Sequence, residues 1–222
     1  MSPLCFVFDV DDTLYLERDY VASGFNAVGL WAAQWLAVSD LEAHCVALFE
    51  QGVRSNIFDQ ALSSCGFESS PALIQALVEI YRTHSPHIRL ACDVEESLPR
   101  IAARWPVAVL TDGPPAAQSA KVQALRVHGM ANPVVLTGAL GSGFGKPHPR
   151  GFAAIEKKVR ADKFVYVADN PHKDFAGPQA LGWATVRVRR RGGLHYLAES
   201  TREWPDIEIP DFATLIPFLS QL

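Results

Sequence analysis

The chain has 222 residues, 49% of them hydrophobic and 20% charged, with a formal net charge of −4. That length holds one large domain, or one domain carrying a smaller one, and the composition is that of an ordinary soluble globular protein. The negative balance gives no electrostatic reason to approach nucleic acid or an anionic membrane, and no apolar stretch reaches the ~20 residues that span a bilayer. The opening "MSPLCFVFDVDD" lacks a basic n-region and reaches aspartate too soon for a signal peptide. Cys5, Cys45, Cys65 and Cys92 are scattered and form no CxxC pair. They read as small buried hydrophobes in a reducing compartment, so the expected address is cytoplasmic.

The first predicted strand, "LCFVFD" (4–9), runs into three aspartates within four residues: Asp9, Asp11 and Asp12. A neighbouring negative charge raises a carboxylate's pKa, so this crowd calls for something positive. Side chains two apart on extended chain point the same way, and Asp9 and Asp11 are therefore expected to face one spot. Two readings stay open here. A divalent cation could lie between the carboxylates, and Mg²⁺ suits hard oxygen ligands. Alternatively the cluster is a helix N-cap, with Asp12 or Thr13 capping the helix that follows. An EF-hand loop does not fit, because Leu14 occupies the position that needs glycine.

Residues 15–88 are almost purely helical in pattern, far longer than one crossover needs. "VASGFNAVGLWAAQWL" places Phe25, Val28, Trp31 and Trp35 at helical spacing, as the core stripe of a helix. "LEAHCVALFEQGV" and "PALIQALVEIYRTH" continue in the same style. The stretch is expected to form an inserted helical domain over 15–88. The remainder, 1–14 and 89–222, then forms the sheet domain, and the two joins are positions about which the insert could hinge.

Beyond the insert, helical patterns alternate with short apolar runs. "VEESLPRIAARW" precedes the strand "PVAVLTD" (106–112), which ends in Thr111 and Asp112 and is followed by Gly113. "AAQSAKVQALRVHG" leads to "PVVLTG" (133–138), and the glycine-rich loop "GSGFGKPHP" then supplies Lys146. "RGFAAIEKKVR" precedes "FVYVAD" (164–169), which ends at Asp169, with Asp174 five residues on. "DFAGPQALG" leads to "ATVRV" (184–188), and the run "RVRRR" (187–191) reads as a solvated edge after the last strand. Strands apolar on both faces, alternating with helices, predict an α/β fold: a Rossmann-like parallel sheet core with helices on both faces.

Parallel strands gather their carboxyl ends on one rim, where open α/β sheets place their ligands. That rim would collect Asp9, Asp11, Thr111, Lys146, Asp169 and Asp174. Such a set suits phosphoryl transfer: cations neutralise the phosphate, a hydroxyl and backbone N–H groups hold its oxygens, and a carboxylate attacks phosphorus. A nucleotide-binding loop is not supported. A Walker A motif would need glycine at Leu140 and a hydroxyl residue at Pro147, and Lys146 stands where GxGxxG has its third glycine.

With these residues assembled, the chain resembles the haloacid dehalogenase (HAD) superfamily over nearly its whole length, in particular its phosphatase branch with a helical C1-type cap. The four motifs are "FVFDVDDTL", "VAVLTDG", "GKPHP" and "VYVADNPHKDFAGPQALGW", in that order, with the insert after the first. The resemblance implies Asp9 as nucleophile and Asp11 as general acid and then base. It implies Thr111, with the main chain at Asp112 and Gly113, and Lys146 as phosphate-binding groups. Mg²⁺ would be held by the Asp9 carboxylate, the Asp11 main-chain carbonyl and Asp169, with Asp174 in the outer shell. Asp112 departs from the pattern, which often has asparagine there; its side chain is expected to turn away from the phosphate. "YLERDY" (15–20) is expected to form a flap over the site, with Arg18 either contacting the leaving group or lying on a solvated surface.

The expected activity is a Mg²⁺-dependent phosphomonoesterase acting on a small sugar phosphate or nucleotide. The alternatives are a phosphomutase, a 2-haloacid dehalogenase and a non-catalytic binding protein on the same fold. A halide leaves without a proton, so dehalogenation has no use for Asp11, and a silent scaffold has no use for a full set of competent residues.

Overall fold

The computed structural model describes residues 4–199 and 204–219, apart from the side chains of 216–219. Six parallel strands form one sheet in the order β3-β2-β1-β4-β5-β6. They are β1 (Leu4–Phe8), β2 (Val107–Thr111), β3 (Val134–Leu136), β4 (Lys163–Ala168), β5 (Ala184–Val188) and β6 (Ile207–Ile209). The chain winds outward from β1 through β2 to β3, then crosses back to β4 and winds the other way. The reversal leaves a crevice beyond the carboxyl ends of β1 and β4, where this topology places ligands.

Both faces of the sheet are covered. Cys5 and Val7 of β1 share one core with Phe152 and Ile155 of α7 (Arg150–Glu156). The alternate residues Phe6 and Phe8 turn to the other face, where Phe6 meets Trp105 edge-on and Phe8 stacks on Phe212 of α9 (Phe212–Leu219). This two-sided burial is the reason the strands are apolar at consecutive positions. The other helices of the sheet unit are α5 (Cys92–Ala102), α6 (Pro115–Ala124) and α8 (Ala176–Ala180). α6 starts on Pro115, whose fixed φ suits a first helical position, and ends short of the expected span as residues 127–129 tighten into a 3₁₀ turn.

β6 was not expected, since "IEI" is too short to show alternation, and it changes the reading of the arginine run. β5 is not an edge, and two arginines of "RVRRR", Arg187 and Arg190, are buried, while Arg189 is partly covered and Arg191 is exposed. Arg187 is 0% exposed and donates to the carbonyls of Asp169, His195 and Ala198 and to the Glu208 carboxylate. Arg190 is also buried; it pairs with Asp93 at 2.7 Å and donates to the carbonyl of Thr13. The Arg187 guanidinium tolerates this burial because all three of its nitrogens donate to acceptors, and Arg190 is bonded through both of its terminal nitrogens.

The chain divides into two compact units: residues up to Arg18 together with Ile88 onward, and Asp19–His87. The first join falls later than residue 15 because Tyr15 is fully buried and donates its hydroxyl to Asp11. The second unit consists of helices: the greater part of α1 (Glu17–Leu36), with α2 (Leu41–Glu50), α3 (Ile57–Ser64) and α4 (Pro71–Thr83). Phe25 of α1 packs against Phe49, Phe58 and Tyr81, and Tyr20 meets Tyr81 and His84. A side chain at Gly24 would overlap the Tyr81 ring. The expected stripe is half right: Phe25 and Val28 are buried, but Trp35 is 65% exposed and Trp31 only partly covered. The buried face instead runs Tyr20, Val21, Gly24, Phe25, Val28, Gly29 and Ala32, and Trp35, near the end of α1, lies outside it. The cysteines differ as well. All four are free; Cys5 and Cys45 are buried, Cys65 is intermediate, and Cys92, at the start of α5, is exposed.

Candidate active site

Asp9 directly follows β1, Thr111 ends β2, and Asp169 directly follows β4. These three strands are neighbours in the sheet, so residues about 100 and 160 positions apart arrive at one rim. The Asp9 N–H donates to the carbonyl of Val167 at 2.9 Å, which carries the pairing one residue beyond β1.

Lys146 reaches this rim from the loop before α7. Its ammonium lies 2.9 Å from Asp9 Oδ2, 2.7 Å from Asp174 Oδ1 and 3.0 Å from the Tyr166 hydroxyl, and all four side chains are buried. Asp174 accepts a further hydrogen bond from the Asn170 N–H at 2.9 Å. Burial alone would pull the lysine's pKa down; the Asp174 and Asp9 carboxylates outweigh it and hold the ammonium well above its ordinary range. Burial pushes Asp9 up to about 6, partly offset by Lys146.

One cation does not balance three acids. Asp9, Asp169 and Asp174 bring carboxylate oxygens within 4.8 Å of one another. Asp169 Oδ2 is buried with no hydrogen-bond partner. Burial, with the Asp174 and Asp9 charges beside it, holds Asp169 well above the usual carboxylate range. A buried, unpartnered carboxylate oxygen facing two more carboxylates is a donor set that fits a small hard dication such as Mg²⁺.

Asp11 does not join that group. The chain turns at once after Asp9: Thr13 and Leu14 donate back to the Val10 carbonyl, and Asp12 takes φ +52°. The argument from extended chain therefore fails at this point, and Asp11 has partners of its own. Its Oδ1 accepts from Lys121 Nζ at 2.7 Å and from the Tyr15 hydroxyl, and its Oδ2 accepts from Gln118 Nε2 at 3.1 Å. Burial would raise Asp11, but the Lys121 ammonium and the three hydrogen bonds prevail and keep it below the usual carboxylate range. Asp12 realises the capping reading. Its Oδ1 accepts the N–H of Glu17, the first residue of α1, at 2.8 Å, and its Oδ2 accepts that of Leu194 at 2.6 Å.

On the β2 side, the Thr111 hydroxyl donates to Gln118 Oε1 at 3.0 Å. The Asp112 carboxylate is occupied: it accepts from the Thr137 hydroxyl at 2.6 Å and the Lys146 backbone N–H at 3.1 Å, with the Lys173 ammonium 3.6 Å away. Gly113 takes φ +130°, a conformation that excludes most side chains, and a Cβ there would press on Gln118 Nε2. Arg18 lies in the first turn of α1 and is partly covered. The tight turn bridged between Asp11 and Tyr15 leads into "YLERDY" (15–20), whose last four residues already belong to α1.

Four residues of this neighbourhood escape sequence reasoning: Tyr15, Gln118, Lys121 and Tyr166. Gln118 and Lys121 sit three apart on α6, hence on one helix face, and both are buried among apolar neighbours. Two polar residues at core positions just after a phosphate-binding motif are the signal that was available.

The model of one family, the haloacid dehalogenase-like hydrolases, matches residues 4–182. The chain belongs to this family. Along 97% of its length it is 27% identical to glyceraldehyde 3-phosphate phosphatase of Methanopyrus kandleri, covering 97% of that protein. The fold is shared with a 2-haloacid dehalogenase of Pseudomonas syringae pv. tomato, with TM-score 0.66, 21% identity, and 100% of this chain and 99% of that one covered. It is shared too with the HAD-type protein YfnB of Bacillus subtilis in a magnesium-bound form, with TM-score 0.69, 15% identity and 99% of each chain covered. This HAD-like hydrolase therefore carries the family's sheet, and the α/β reading of its sequence holds.

Proposed function

We propose that this hydrolase is a Mg²⁺-dependent phosphomonoesterase acting on a small phosphorylated metabolite. The observation that carries the proposal is the buried Lys146 ammonium shared by Asp9 and Asp174, beside the unpartnered oxygen of Asp169. A lysine and a dication at one strand end are the charges a phosphoryl group needs.

In this reading an oxygen of Asp9 attacks phosphorus, the bond from phosphorus to the ester oxygen breaks, and an aspartyl-phosphate forms. Asp11, an anion in the free site, takes up a proton as the negative charge of the phosphate arrives beside it. It gives that proton to the departing oxygen, then takes one from the water that attacks the same phosphorus, and phosphate leaves with Asp9 restored. Lys146 and the backbone N–H groups of Asp112 and Gly113 hold the phosphoryl oxygens, joined by the Thr111 hydroxyl once it turns from Gln118 Oε1. The Asp9 carboxylate, the Asp11 main-chain carbonyl and Asp169 would hold Mg²⁺, with Asp174 in the outer shell. When bound, the ion would offset the negative charge of phosphate and acids together. The Asp112 carboxylate is taken up by Thr137, Lys146 and Lys173, which supports the view that only its backbone serves the substrate.

The inserted helices, entering immediately after the first motif, are proposed as a cap that restricts substrates to small molecules, with Arg18 as a contact for the leaving group. The phosphatase named among the relatives acts, by its name, on a triose phosphate, which puts three-carbon phosphates first on a substrate panel. The test is hydrolysis of p-nitrophenyl phosphate with and without Mg²⁺, alongside D9N. Activity that needs the ion and falls by several orders of magnitude in D9N is expected, because the covalent route is then closed. Full activity in D9N would overturn the mechanism. Turnover of 2-chloropropionate with no phosphate ester consumed would assign a dehalogenase instead.

A further inference from the structure

Asp11 is held by a helix that carries none of the four motif residues. Gln118 and Lys121 are 3% and 4% exposed, and both reach from α6 to the Asp11 carboxylate, one to each oxygen. Gln118 spans two groups at once: its Oε1 accepts from the Thr111 hydroxyl while its Nε2 donates to Asp11. The amide is itself confined, because Gly113 leaves just enough room for it. Burying an ammonium and a primary amide is costly unless both are hydrogen-bonded, and here both are bonded to the Asp11 carboxylate.

We propose that Lys121 and Gln118 are positioning residues that fix the Asp11 carboxylate relative to the end of β2 at Thr111. The inference rests on the assignment of Asp11 as acid and base in the proposed function. An amide bonded to both Thr111 and Asp11 sets the distance between the strand end that carries the phosphate-binding backbone N–H groups and the group that meets the leaving oxygen. Lys121 shares Asp11 Oδ1 with the Tyr15 hydroxyl and supplies the charged point of attachment; without it the carboxylate is held on that oxygen by the tyrosine alone and can tilt away from Gln118. Misplacing an acid affects substrates unequally. A nitrophenolate departs with little need of a proton, whereas an alkoxide requires one.

The experiment compares kcat/KM of K121M, K121R and D11N with that of the full-length wild type, in Mg²⁺, on glycerol phosphate and p-nitrophenyl phosphate. This ratio reports only steps through the first P–O cleavage, so the later water attack does not enter. K121M is expected to lower the alkyl ester by ~100-fold and the aryl ester by about a tenth of that factor, within the range for a misdirected general acid. K121R should recover a large part of the alkyl loss. Adding K121M to D11N should cost little further, since the two act as a unit. Equal losses on both esters, or fully additive losses with D11N, would overturn the inference.

A crystal structure of K121M supplies a readout independent of activity. The 3.1 Å contact from Gln118 to Asp11 should open beyond hydrogen-bond range while Lys146 stays on Asp9. An unmoved Asp11 carboxylate in those crystals would also overturn the inference. Should wild type cleave neither ester, the proposed function fails, and the K121M crystal still decides whether Lys121 positions Asp11.

Discussion

Lys146 places its ammonium 2.9 Å from Asp9 Oδ2, with both side chains shielded from water. A pair like this is worth little against an apolar replacement of both partners, but removing one partner strands the other's charge. K146M leaves Asp9 and Asp174 facing each other without their cation. Urea denaturation in the absence of metal should show a loss of ~3–5 kcal/mol, the range for a broken buried pair. A loss below about 1 kcal/mol, the range of surface pairs, would mean that the charges are relieved in some other way.

Asp169 offers the opposite sign. Its carboxylate is held well above the usual range by burial and by its acidic neighbours, and one oxygen lacks a partner. D169N removes that unfavourable charge, so its melting temperature without metal should equal or exceed that of wild type. Mg²⁺ at a hundred times its dissociation constant should stabilise wild type by ~2.7 kcal/mol and D169N by much less. Differential scanning calorimetry with a chelator and with Mg²⁺ makes both comparisons.

Gly138 tests the shape of the phosphate-binding turn. A Cβ at this position would overlap the Gly113 carbonyl oxygen and press on the Pro115 ring. Backbone cannot yield as a flexible side chain does, so G138A should displace the Thr111–Gly113 segment. A shift of about 1 Å in such a group costs ~10²-fold in rate, and kcat/KM on a phosphate ester should fall by that order. Circular dichroism would confirm that the sheet itself persists.

Asp93 couples the start of α5 to the arginine run. Arg190 forms two hydrogen bonds to its carboxylate, and the Phe212 N–H donates a third. Burial would raise Asp93, but these bonds prevail and lower it. A depressed folded value means stability that is present above the unfolded pKa of about 4 and is lost as pH falls through the folded value. The stability gap between wild type and D93N should therefore be full at neutral pH and close under acid conditions. A gap that widened on acidification would contradict the geometry.

The thiols should label in a fixed order. Cys92 is exposed and Cys65 partly so, whereas burial pushes Cys5 and Cys45 up to about 12. The thiolate is the reactive form, so a disulfide reagent at neutral pH should modify Cys92 first and Cys65 more slowly. Cys5 and Cys45 should react only when the chain unfolds. Fast modification of Cys45 would show that the packing of α2 opens readily.

Strand ends were legible because their logic is local. An apolar run that stops at Asp9, Thr111 or Asp169 announces both its burial and its terminus, and parallel pairing then carries the three ends to one rim. β6 was not legible, since three residues are too few to show a period. Its absence from the sequence reading turned Arg187 into a solvated residue, although the fold buries it beneath the 190–199 loop with carbonyl acceptors on several sides. Trp35 failed for a related reason: helical spacing specifies a stripe but not how far along the helix a partner covers it.

The chain by itself determined the α/β alternation and where the strands end, because hydrophobic period is a property of neighbours in sequence. Only the tertiary structure decided that Asp9 and Asp11 have different partners. Their two-residue spacing would align them on a strand, but the chain turns at Val10, and Lys121 and Gln118 arrive from a helix more than 100 residues away. Where a carboxylate points depends on which buried donors can reach it, and those donors are brought within reach by packing across the sheet.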